Sequence, residues 1–584
     1  MRKTFFIQVN STLFRRRFSF YPLKLIALPL VFLTAALFSV APLLNEFRTS
    51  VPVPAGGVRT VPLFNVWTIV WNSLQFEERF VRYWEAPVFF PEPHAFAFSE
   101  PQPATLLLAP LRPHCYSPAL AYNLWLVASL TLNGLFAARL LKSLGVPLLF
   151  RAASGTAMVL HPLVHHQLDS AQLAPLWPSL WTITALLQLR QAASAADAGV
   201  GRALVRGLET GLAFCFTAAC ALHHALFLAV LLLLTGWLLI PFAHLRRWVP
   251  SALLAATVCL ALVPSLLVIR QTLNRPDFVR EESLISQLSA GLFDLACTSA
   301  NAPLNLPSLR GRSFFPLNPG WMRLVTAAIA CAACCGWRAG SLSAHQRAAV
   351  RFLVAFALAA ALLSLGTRLQ LGSWKLWSFL TNAIPGFAQV RSPFRFGYFF
   401  QAAVLLLAGT GGAMCCRAQI FQSRRLLGRV LAGLLALLIS SEVFPGKLQL
   451  AGVPDPSRTI DWVTQVRRSL PPEHGLLILP IAPASGAAAF EDTVRWMIRC
   501  TVSGIPLANG YSGFFPAAHY DLQTRLRRPW SAALSRQLRQ QRIALVFAAE
   551  SGTAERLSDI PDSGLEPIWR SSRTGAVLFQ INPR

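Results

Sequence analysis

The strongest constraint on this chain is that its apolar residues arrive in blocks of about 20, separated by short basic connectors. A helix of that length crosses the ~30 Å hydrocarbon core of a bilayer. In lipid, only helices and closed barrels satisfy their own backbone. Blocks near 23–44, 118–140, 149–165, 172–190, 205–222, 225–241, 250–269, 321–337, 350–367, 396–414 and 427–443 predict about eleven spans. Charged residues are only 13% of the 584, where a soluble protein carries about 25%. An ordinary soluble enzyme and a disordered chain are both excluded.

The formal net charge is +27. No basic-aromatic module stands apart from the spans, so no nucleic-acid partner is expected. The charge instead follows the connectors. It sits at Arg2, Lys3 and Arg15–Arg17, then Lys142, then Arg190, Arg202 and Arg206. Next come Arg246 and Arg247, then Arg338, Arg347 and Arg351, then Arg417, Arg424, Arg425 and Arg429. With the N-terminus inside, all of these fall on one side, which predicts a cytoplasmic N-terminus. The first block is long for a signal-peptide core and lacks a small-residue cleavage site, so it reads as a retained helix. Arg15-Arg16-Arg17-Phe18 reads as its positive-inside anchor rather than a twin-arginine signal. Most of the 11 cysteines lie in or beside apolar runs, where Cys acts as a small hydrophobe. Their spacing shows neither a zinc site nor a disulfide framework.

Two regions follow from this reading. Residues 1–445 form a transmembrane helical domain with a long first outer loop at 45–117. Residues 446–584 form a small outer α/β domain, with amphipathic helices over Pro456–Leu470, Ala488–Val502 and Trp530–Gln541. Its expected strands are Leu476–Leu479, Ile543–Phe547 and Ala576–Gln580. In the first loop, Asn65, Trp67, Trp71 and Asn72 suggest a helix lying in the membrane interface, where aromatic belts gather.

Several segments together carry a resemblance. They are the Asn65-Val66-Trp67 helix with Trp71, the Ala86–Pro91 stretch running on to Phe98-Ser99-Glu100, and His161-Pro162-Leu163-Val164-His165-His166. Pro385-Gly386-Phe387, Val390–Phe396 and Asn509–Pro516 complete them. The ordering resembles bacterial polytopic glycosyltransferases of the GT-C superfamily, in a poorly characterised branch related to polyprenyl-phosphate-sugar-dependent mannosyltransferases. The resemblance implies a mainly α, multi-helix core in the bacterial inner membrane. It also implies outer-face catalysis, a polyprenyl-phosphate-linked sugar as donor, a glycan or protein acceptor, and inversion. Such enzymes place an acid, most often Asp, early in the first outer loop. Here that position is Val61, and no Asp precedes Asp169. Either another acid substitutes, or the protein is a catalytically inactive relative that binds or transports a lipid-linked glycan.

Two acids are candidates for the missing base. Glu100 lies in an apolar, Pro-flanked segment, and Asp169 lies in the second outer loop. Arg391 and Arg395, one helical turn apart, suit a donor phosphate because each guanidinium fork binds two oxygens. Asn65, Trp67, His165 and His166 are candidate acceptor or substrate contacts. No cofactor is required, although His161, His165 and Asp169 admit a divalent cation. Arg280 reads as part of a loop-edge ion network with Glu281 and Glu282.

Overall fold

A computed structural model describes residues 21–195, 199–334, 342–416, 425–456, 458, 460–482 and 486–582. The basic residues predicted at 2, 3, 15–17, 338, 417 and 424 lie outside the described residues. Helices stand where each of the eleven apolar blocks was expected. They are α1 (Tyr21–Ser39), then, after the first-loop helix α2 (Thr60–Glu77), α3 (Pro118–Ser143), α4 (Leu148–Val159) and α5 (Trp177–Ser194). Next come α6 (Val200–Cys220), α7 (Leu222–Thr235), and α8 (Leu245–Cys259) running into α9 (Val263–Leu273). The last four are α10 (Trp321–Cys334), α11 (Ala344–Ser364), α12 (Gly397–Cys416) and α13 (Arg425–Ser441). Among the described residues, six stretches are long and apolar enough to cross a bilayer, and three shorter apolar helices accompany them. The α8–α9 stretch presents exposed Leu253, Leu260, Leu266 and Leu267, a surface suited to lipid. At the other extreme, α12 is buried along most of its length against α10, α11 and α4.

Two buried charges inside the bundle are matched by backbone groups. Glu442 and Arg323 are fully buried. Glu442 accepts the backbone N–H groups of Met322 (2.8 Å) and Arg323 (3.0 Å), which closes the open amino end of α10. The Arg323 guanidinium donates to the carbonyls of Pro319 (2.7 Å) and Ile439 (2.8 Å).

After α13 the chain builds its α/β tail. Strand β1 (Ser50–Pro54), from the first loop, pairs antiparallel with β2 (Leu448–Gly452). The main sheet runs in the order β3 (Gly475–Leu479), β4 (Ile543–Ala548), β6 (Val577–Ile581), β5 (Leu565–Arg570). Its β3–β4 pair is parallel and the other two pairs are antiparallel. The three expected tail helices appear as α14 (Asp461–Ser469), α15 (Glu491–Val502) and α17 (Ala532–Gln540), with α16 (Ala517–Leu526) and α18 (Ser551–Ser558) besides.

Helix α2 departs from its expected interfacial placement. It is buried over most of its length, packed against α3 on one side and α15 and the Pro103–Leu111 turn on the others. Trp67 is 2% exposed, and its indole N–H donates to Thr501 Oγ1 at 2.9 Å. The tail thus covers the face that the sequence pattern assigns to the interface. Trp67 ties the tail to the bundle.

Candidate functional site

The site is assembled from the polar residues of α2 outward. Asn72 Nδ2 donates to the carbonyls of Pro101 (2.8 Å) and Gln102 (3.2 Å) and to Thr105 Oγ1 (2.8 Å). Gln102 Nε2 donates to Asn65 Oδ1 at 2.8 Å. These bonds fasten the segment after Glu100 to α2 and fix where that carboxylate sits. Glu100 then reaches the start of α7, where its Oε1 accepts the His223 backbone N–H (2.8 Å) and pairs with His223 Nδ1. A helix amino terminus offers free N–H groups and partial positive charge, so the carboxylate completes it. Burial alone would raise this carboxyl. The His223 ring and its hydrogen bonds, helped by Arg395, outweigh burial and hold Glu100 at about 2. Its Oε2 is buried without a hydrogen-bond partner.

Asp169 stands in the turn before α5. Its main-chain oxygen accepts from Asn65 Nδ2 (3.4 Å) and Tyr122 Oη (3.3 Å). Asn65 Nδ2 also donates to the Val61 carbonyl at 2.9 Å. One amide therefore bridges Val61 and Asp169, so the acid from the second loop lies beside the position where the first loop lacks one. Burial pushes the Asp169 carboxyl up to about 6, against the opposing pull of Arg395 and Ser170. The two carboxylates are thus driven apart: Glu100 is lowered by its pairing with His223, while Asp169 can exchange a proton near neutrality.

Arg395, on the Pro393–Phe396 turn that enters α12, acts electrostatically on both. Its charge acts on Glu100, Asp169, Tyr398 and Arg391. Its Nε is buried without a hydrogen-bond partner. Among the described residues no carboxylate lies within 4.0 Å of either Arg391 or Arg395. Arg391 precedes the turn in non-helical backbone, because Pro393 opens the helical segment. The two guanidiniums are therefore neighbours by fold and do not share a helix face.

The histidines divide. His161 Nε2 bonds the Tyr398 carbonyl (3.1 Å), and its Nδ1 accepts the Val164 N–H (3.3 Å). His165 Nε2 bonds the Val159 carbonyl at 3.0 Å. Both rings serve the break between α4 and the next turn, and a cation at His161, His165 and Asp169 has no free His161 nitrogen to use. Among the described residues no group of three His, Cys, Asp or Glu side chains is placed to hold a metal. His166 is the more open of the pair, set edge-on to Phe314 at 6.2 Å. His223 carries no expectation in the sequence reading; the only signal for it is Glu100 itself, a carboxylate in an apolar segment needing a partner.

The tail closes over this cluster. Phe514 N–H donates to the Phe98 carbonyl (3.0 Å), and Tyr511 sits edge-on to Phe64 at 5.4 Å. Beside Glu100 and His223, a cavity of about 490 Å³ is lined by Tyr83, Trp84, Pro101, Leu222, Leu262 and Leu266. Its walls are mostly apolar and one of them is the lipid-facing α9.

The architecture is similar to the arabinofuranosyltransferase AftD from Mycobacteria, with a TM-score of 0.59 at 13% identity. The likeness covers 96% of this chain and 40% of that one, so this chain spans about two fifths of that protein's length. The chain has the GT-C fold. ArnT from Cupriavidus metallidurans gives a TM-score of 0.44 at 13% identity, covering 96% of this chain and 98% of that chain. No family model and no curated protein matches the sequence. Within the GT-C fold, the Glu100–Arg395–Asp169 cluster sits between the helical bundle and the α/β tail.

Proposed function

We propose that this protein transfers a sugar from a polyprenyl-phosphate donor to an acceptor on the outer face of the bacterial inner membrane. The observation that carries the reading is Arg395, a cation whose charge acts on both Glu100 and Asp169 without contacting either and whose Nε is buried and unpartnered, while an apolar cavity opens at Pro101 and Leu222, next in sequence to Glu100 and His223. A guanidinium so placed is ready for a phosphate, and the cavity suits a prenyl chain. In the step, Asp169 takes the proton of the acceptor hydroxyl as its oxygen attacks the anomeric carbon. The bond from that carbon to the phosphate oxygen breaks. The prenyl phosphate leaves with the electron pair, its charge met by Arg395 and Arg391. Attack opposite the leaving group inverts the anomeric centre. Glu100 stays ionised and orders His223 at the edge of the site.

The test is the purified full chain with labelled prenyl-phosphate sugars and cell-envelope acceptors. Transfer is expected from the wild type, and Asp169→Asn should lower it by about 10²–10⁴-fold. Undiminished transfer by Asp169→Asn removes the base. Val61 favours a second reading, a non-catalytic carrier of a lipid-linked glycan. That reading predicts prenyl-phosphate binding sensitive to Arg395→Ala, with no turnover of any donor.

A further inference from the structure

Arg280 is placed for a purpose that the loop around it does not supply. The acids near it in sequence are engaged elsewhere. Asp277 pairs with Arg275 (3.1 Å) and accepts the Ala517 N–H (2.9 Å). Glu281 accepts from Ser283 (3.1 Å), and Glu282 pairs with Lys375 (2.6 Å). The expected network of Arg280 with Glu281 and Glu282 does not form. Arg280 instead lies flat on Phe514 of the tail, its Cζ 3.5 Å from the ring centroid. Its Nε is buried without a hydrogen-bond partner, while part of the side chain remains exposed beside Tyr520. Burial, then the charge of Arg391, pushes its guanidinium down to about 9, so an added anion would be doubly favourable there. The charge of Arg391 acts on both Arg280 and Arg395, so the three cations share one electrostatic neighbourhood.

One phosphate needs one or two of these forks. We propose that Arg280, held on Phe514, forms a subsite for a second phosphate group, next to the one assigned to Arg395 and Arg391. This rests on the phosphate reading above and extends it to the charge of the substrates. The second phosphate has two sources: a diphosphate on the prenyl lipid, or a phosphate carried by a separate molecule such as the acceptor.

The full chain in detergent is titrated with a prenyl monophosphate and a prenyl diphosphate of equal chain length, and with inorganic phosphate. If the lipid is the source, the diphosphate binds roughly ten- to a hundredfold tighter than the monophosphate. Arg280→Gln then removes that advantage and leaves monophosphate affinity unchanged. If a separate molecule is the source, the two lipids bind alike. Inorganic phosphate then binds the monophosphate-saturated wild type but not Arg280→Gln. Arg280→Lys keeps the cation on Phe514 without the planar fork and should show part of the loss, which guards against a variant that fails to fold. The proposal is overturned if the wild type shows neither diphosphate preference nor a second phosphate, or if either persists undiminished in folded Arg280→Gln. Should the monophosphate not bind at all, the phosphate reading at Arg395 fails separately, and inorganic phosphate alone still tests Arg280.

Discussion

Asn at position 169 should make this protein more stable and less active at the same time. Burial moves the Asp169 carboxyl from 3.8 to about 6, which corresponds to about 3 kcal/mol at ~1.4 kcal/mol per tenfold. Between those two values the folded protein holds a proton that the unfolded chain has released. Wild-type stability therefore falls as pH rises through this window, and the whole cost is in force above pH 6. Asn keeps the shape and never ionises. The variant should match the wild type below about pH 4 and exceed it by up to about 3 kcal/mol at pH 7. Thermal unfolding in detergent across pH 4–8 reads the difference directly. The wild-type transfer rate should rise with pH along a limb centred near 6, where Asp169 becomes able to accept a proton. A stability difference independent of pH, or a variant less stable than the wild type at pH 7, would refute the argument that Asp169 is a desolvated, strained base.

Glu100→Gln should behave in the opposite sense. The carboxyl is depressed from 4.5 to about 2, so it contributes about 3 kcal/mol above pH 4.5, lost as pH falls toward 2; the same melts at pH 7 should show a clear drop. Trp67→Phe leaves the buried Thr501 hydroxyl without its 2.9 Å partner and should cost about 1 kcal/mol, with Tm lowered and the Michaelis constant for donor unchanged. Alkaline phosphatase fused after Gly446 should be active and a cytoplasm-dependent fluorophore there dark, if the tail lies outside as the basic connectors predict; the reverse pattern would invert the topology.

The helical bundle was legible because lipid solvates no backbone, so each crossing must declare itself as a long apolar block. The tail's helices and strands were legible by ordinary periodicity, as Glu491–Val502 and Ile543–Ala548 illustrate. What stayed hidden depends on partners far away in sequence. Trp67, Trp71 and Asn72 carry an interfacial signature, yet the tail turns that face into a core, and no local pattern encodes a cover formed by α15. Glu100 and Asp169 were visible as acids in unusual places. Their different proton affinities come from His223, 123 residues beyond Glu100, and from the desolvation of Asp169. Arg280 was misread because sequence adjacency to Glu281 and Glu282 suggested pairing, while the folded loop delivers those carboxylates to Ser283 and Lys375. The helical spacing of Arg391 and Arg395 failed for a local reason that Pro393 already contained.

The pairing of β1 with β2 sets a schedule for biosynthesis. Pro54 meets Leu448, so a strand made early waits for one made roughly 400 residues later, a delay of roughly 20–80 s at ~5–20 residues per second. Throughout that interval α2 has neither α15 nor Thr501 to cover it. Its tryptophans are an exposed adhesive surface for as long as ribosome and translocon are still working. A chain arrested before α15 would carry the candidate spans that precede the tail, yet it would present to the cell's quality control the surface of an unfinished protein.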